Sequence, residues 1–124
     1  MAKSVNDAVL DAAMDKIATC VNMNLCSGEP ANFAGIAAVS LADVVLTAGD
    51  GNGDYVVGDG DTSGRKITVG QQASVTVDTT GTGTHISLDD GSTLLYVTTT
   101  VSQSVTSGNT VTVPAFDIEI LDPA

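Results

Sequence analysis

A chain of 124 residues that is 43% hydrophobic yet has no Trp, two Phe and two Tyr must fill its core with Val, Ile, Leu and Ala. Fifteen acidic residues against four basic ones give a formal charge of −11. That balance excludes binding to phosphate backbones, which works through Lys and Arg that displace condensed counterions, and it disfavours an anionic membrane surface.

The length suits one domain able to bury roughly two thirds of its extended surface. After Met1-Ala2-Lys3 the chain enters an amphipathic segment containing Asp7, Asp11 and Asp15. A secretory signal needs an uninterrupted apolar run of ~7–15 residues and a membrane span needs ~20; neither pattern is present. Synthesis and folding in a cytoplasm are expected, with Cys20 and Cys26 as reduced thiols.

Ser4-Val5-Asn6-Asp7 has the form of a capping box, a hydroxyl followed three residues later by a carboxylate. Val5, Ala8, Val9, Ala12, Ala13 and Ile17 recur at helical spacing, with Asp11 and Asp15 opposite. A helix over about 4–19 is expected, its narrow Ala-rich stripe packed on a sheet. A first strand follows at 22–27, with Met23 and Leu25 pointing inward. Residues 33–46 are ambiguous: 35–42 suits a turn or short helix, while Val44-Val45-Leu46 favours a strand.

The centre, 48–64, interleaves six glycines with Asp50, Asp54, Asp59 and Asp61, the residue types that tight turns require. Tyr55-Val56-Val57 reads as a short strand inside it. Further strands are expected near 66–69, 74–78, 84–88, 94–100, 110–113 and 116–121. Val75 and Val77 alternate with Ser74, Thr76 and Asp78; Ile86 and Leu88 alternate with His85, Ser87 and Asp89; Phe116, Ile118 and Ile120 alternate with Asp117 and Glu119. Period-two alternation sends one set into a core and the other outward. Turn signals fall at Gly70, Gly81-Thr82-Gly83, Asp90-Gly91 and Ser107-Gly108-Asn109, with Asp90-Gly91 the best candidate for a two-residue hairpin. Pro114 cannot donate to a ladder, so it marks an edge, a bulge or a break between the last two strands. The pattern predicts a mainly β fold, an antiparallel sandwich or barrel with one short N-terminal helix, forming a single domain over 1–124 with its β part at about 22–122.

Candidate chemistry is sparse. Asp50, Asn52, Asp54 and Asp61 space oxygens as a calcium loop does, but Tyr55 stands where such a loop wants Gly and no helices flank it, so turn chemistry is the expected role. His85, the single histidine, has no nucleophile or carboxylate nearby in sequence. Arg65-Lys66 is half of the basic inventory and is placed to pair with Asp59 or Asp61. No glycine fingerprint or phosphate loop is present. No catalytic, cofactor-binding or metal-ligating residue is expected, and the protein is not expected to be an enzyme.

The helix 4–13, the turn 59–66 (Asp-Gly-Asp-Thr-Ser-Gly-Arg-Lys), the strand 94–99 (Leu-Leu-Tyr-Val-Thr-Thr) and the run 108–118 (Gly-Asn-Thr-Val-Thr-Val-Pro-Ala-Phe-Asp-Ile) together resemble small virion proteins of tailed bacteriophages. The resemblance spans nearly the whole chain and is tied to no chemical motif. It implies a capsid decoration or cement protein on the outer surface of a head, made in the host bacterial cytoplasm. The partners it implies are the major capsid protein and copies of the chain itself, as a homo-oligomer, a trimer by the symmetry of capsid lattices, with no nucleic acid or membrane partner. A tail or head-fibre adaptor is the alternative within the virion, and a calcium-dependent binding module the alternative outside it.

Overall fold

The computed structural model describes residues 5–123. It is mainly β and antiparallel, a sandwich-like arrangement with short helical segments. Helix α1 (Asp7–Ile17) is followed by β1 (Asn22–Cys26), a 3-10 turn (Phe33–Gly35), α2 (Ile36–Val39) and β2 (Ser40–Val45). The remaining strands are β3 (Tyr55–Asp59), β4 (Arg65–Val69), β5 (Gln72–Thr76), β6 (Gly81–Asp89), β7 (Leu94–Val105), β8 (Thr110–Val113) and β9 (Phe116–Ile120).

A four-stranded sheet has the order β2-β1-β6-β7, a three-stranded sheet the order β3-β4-β9, and β5 pairs with β8. The β5–β8 pair is tied to the outer edge of β2 by a bridge between Ala42 and Val77 and by Asp78 N–H donating to the Leu41 carbonyl at 2.8 Å. Pro114 falls in the break between β8 and β9, where the chain passes from one sheet to another. One buried cluster takes Met14 from α1 and Ala18 from its C-terminal cap, Met23 and Leu25 from β1, Ile67 and Val69 from β4, Ile86 and Leu88 from β6, and Val111 and Val113 from β8.

The helix is shorter than 4–19 and rotated from the expected phase. Asn6 caps it, its side chain accepting from the Ala8 amide at 2.8 Å; Ser4 lies outside the described residues. Leu10, Met14 and Ala18 are buried, whereas Ala8, Val9, Ala12 and Ala13 face solvent. Leu and Met remove more apolar area from water than a row of alanines does, and so they set the rotation.

Residues 33–39 form the 3-10 turn and α2, and the strand begins at Ser40, so both halves of the ambiguous segment are accounted for. Gly81 and Gly83 are not a turn but belong to β6. A Cβ on Gly83 would sit 2.7 Å from Leu25 atoms and one on Gly81 2.9 Å from Leu41 Cδ2, so glycine is needed there for packing. The β6–β7 hairpin is present, but its loop is the four residues Asp90–Thr93. The Asp90 carboxylate accepts from the Ser92 and Thr93 amides while Gly91 takes φ +93°, a self-closed turn longer than two residues.

Candidate interaction surface

Where the charged side chains go is settled by short ion pairs. Arg65, at the start of β4, is held by Asp11 of α1 at 2.7 Å and by Asp59 of β3 at 2.7 Å, stitching helix to sheet. Lys66 is held by Asp61 at 2.7 Å and Asp117 of β9 at 3.3 Å. The partners Asp59 and Asp61 are those the spacing suggests; Asp11 and Asp117, 54 and 51 residues away, required the fold to be known. The carboxyls hold both cations firmly protonated, Asp11 contributing most for Arg65 and Asp61 for Lys66.

The acidic loop spends its oxygens on its own backbone. Asn52 donates to the carbonyls of Thr47, Ala48 and Gly49 and accepts from the Asp54 and Tyr55 amides. Asp54 accepts from the Thr47 amide and from Gln72, and Asp50 accepts from the Val57 amide. Gly49, Gly51 and Gly53 all take positive φ, a conformation that residues with a Cβ adopt at a cost. No group of three or more His, Cys, Asp or Glu side chains is placed to hold a metal ion among the described residues.

His85 is half-buried on β6, its Nδ1 2.8 Å from the Thr84 hydroxyl. Cys20 and Cys26 are free and fully buried. Burial, helped by the charges of Asp89 and Asp90, pushes the Cys20 thiol up to about 12. Such a thiol is an inert packing residue rather than a nucleophile. Tyr55 is likewise fully buried, and its hydroxyl donates to the Cys20 carbonyl at 2.9 Å.

Two features of the first sheet went unread in the sequence. The alternation of β6 places Ser87 and Asp89 away from the core, but both are buried. Paired residues share a face, so Asn22, Asn24 and Cys26 of β1 stand with Asp89, Ser87 and His85 of β6 on the far side of the sheet. The segment 33–37 lies over this side, leaving a cleft of about 420 Å³. Its polar lining is Asn22, Asn24, Ser40, Asp43 and Asp89, and its apolar lining is Phe33, Ala34, Ile36 and Ala37. Asp89, only 2% exposed, accepts from Asn22 at 3.0 Å, from the Gly91 amide at 2.9 Å and from Asn24 at 3.4 Å. The Ser40 hydroxyl donates to Asn24 Oδ1 at 2.8 Å. Two Asn at alternate positions of an otherwise apolar strand were the signal available in sequence.

The second feature is the outer edge of β7. Among the described residues this strand pairs only with β6, and it runs for 12 residues, well past the expected end at Thr100, without a charge, Gly or Pro. Between the pairs His85–Thr99 and Gly83–Gln103, three β7 residues stand opposite the single residue Thr84. That bulge leaves Val101 88% exposed.

No protein-family profile matches the chain, and neither a curated protein nor a solved structure is significantly similar to it. Among the described residues no helix is long and apolar enough to cross a membrane.

Proposed function

We propose that the protein is a structural component of a tailed-bacteriophage virion: a decoration or cement protein that binds between major capsid subunits, associates with copies of itself and stabilises the head. The observation that carries this reading is the uncharged outer edge of β7. A strand edge presents a row of unpaired N–H and C=O groups, and soluble proteins usually blunt it with charge, proline or cover. Here the ladder is interrupted twice in 12 residues, at Leu95 and at Thr100–Ser102, and neither interruption brings a charge or a proline. On a molecule of charge −11, copies repel over most of the surface. The β7 edge itself carries no charge, so a neighbouring chain can approach it with less of that penalty, ionic screening confining the repulsion to about 8 Å.

The resemblance of the turn 59–66, the strand 94–99 and the run 108–118 to small virion proteins points the same way. The function is mechanical. Interfaces of about 1,200–2,000 Å², repeated over many copies, would resist the internal pressure of packaged DNA.

Purified particles of the phage that encodes the chain provide the test. The protein is expected among the most abundant bands, and light scattering of the isolated protein should give an oligomer, a trimer on the three-fold positions of a capsid lattice. A monomer in solution that is also missing from assembled particles overturns the reading.

A further inference from the structure

We propose that the cleft over the far side of the first sheet binds an alkylguanidinium group, carried either by a free small molecule or by an arginine side chain. The volume, about 420 Å³, is within the range of roughly 300–1,000 Å³ of small-ligand clefts. Asp43 and Asp89 contribute two carboxylates to its lining, and no basic residue lines it. Asp89 is almost fully buried yet held only by neutral donors, the two Asn amides and the Gly91 N–H. A buried carboxylate is usually matched by a cation; among the described residues Asp89 has no ion-pair partner.

Among the described residues, charge within the chain does not supply that cation. Arg65 and Lys66 are engaged by carboxylates on other elements, and Lys16 lies in the last turn of α1. The opposite wall, Phe33, Ala34, Ile36 and Ala37, suits a methylene stem, and Phe33 is 39% exposed, leaving ring surface open. A guanidinium is planar, less strongly hydrated than an ammonium, and stacks on aromatic rings while donating in a fork to carboxylates. Aliphatic wall, aromatic ring and two carboxylates, one from β2 and one from β6, fit that group better than a neutral or anionic one.

The test is a titration of the ¹⁵N-labelled full chain with n-butylguanidinium, with neutral n-butylurea, and with a blocked Gly-Arg-Gly peptide, read on the side-chain amides of Asn22 and Asn24 and the backbone amide of Gly91. Saturable shifts with the guanidinium and none with the urea are expected. Asp43→Asn, at an exposed position, should weaken binding about tenfold while leaving the rest of the spectrum in place. Ala34→Trp, which fills the cleft without altering charge, should abolish binding. Peptide binding as tight as that of butylguanidinium assigns the cleft to a partner's arginine; binding of butylguanidinium alone assigns it to a free ligand. Absence of saturable shifts, equal shifts with the urea, or an unchanged affinity in Asp43→Asn overturns the proposal.

Discussion

Asp43 and Asp78 face each other where the β5–β8 pair joins β2, and among the described residues neither is in an ion pair. Sharing a hydrogen bond with Asp78 raises the Asp43 pKa, with desolvation adding to the effect. A carboxyl whose folded pKa exceeds its unfolded value binds its proton more tightly in the folded state, so the stability it contributes is full below the ordinary value of 3.8 and is lost as pH rises through the folded pKa. Asp43→Asn is therefore expected to raise the melting temperature at neutral pH, with the gain vanishing as pH falls toward 3.8. Thermal melts of both proteins across that range check it; a gain independent of pH would mean that the charge pair is not its source. Asp90 and Asp117 work in the opposite sense: backbone amides of the hairpin loop hold the first below the usual carboxylate range, and Thr68 with Lys66 the second. Their contributions are present above the unfolded value and disappear as pH falls through the lowered one. Local partners such as Arg65–Asp59 and Lys66–Asp61 were legible from adjacency in sequence. Asp43–Asp78 was not, because it depends on which strand edge receives the β5–β8 pair.

Strands were legible because period two needs only local information. Val75, Val77, Val111 and Val113 alternate as written and are buried. What failed was any inference about what covers the second face. Ser87 and Asp89 alternate outward and are nevertheless enclosed, since a short helical segment from a different part of the chain crosses above them. The helix phase was misread because a longer row of small residues was preferred to the two large ones, whereas Leu10 and Met14 are the residues buried. At Gly83 the demand is tertiary too. Gly83→Val is expected to cost about 1–3 kcal/mol by driving the new side chain into Leu25. Urea denaturation measures that cost, and the companion Leu25→Ala should relieve part of it. Additive effects of the two changes would show that the close approach does not limit stability.

For the whole molecule, the sandwich leaves the uncharged outer edge of β7 on one margin. Val101→Lys places a charge at the apex of the β7 bulge, where the native residue is 88% exposed and makes little contribution to the fold. Self-association measured by sedimentation equilibrium is expected to weaken at least tenfold, with an unchanged circular-dichroism spectrum, because a charge in a strand-to-strand contact must be desolvated without a partner. Unchanged association would move the contact to another face. Composition and charge argued only against a nucleic-acid partner; the proposed assembly role came from the resemblance. The β7 edge proposed to carry it was not identifiable, because every strand reads alike until the sheet order is known.

The pairing of β1 with β6 joins residues as far apart as Asn22 and Asp89, separated by 67 positions. A ribosome must therefore deliver more than half of the polypeptide before the first strand meets this neighbour, and until then β1 waits against β2 alone. A slip of one residue during that late docking would swap the two faces, leaving the Asp89 carboxylate among Met23 and Leu25 without its amide donors. The polar cluster thus adds its own lost hydrogen bonds to the cost of exposing Ile86 and Leu88 that any such slip incurs.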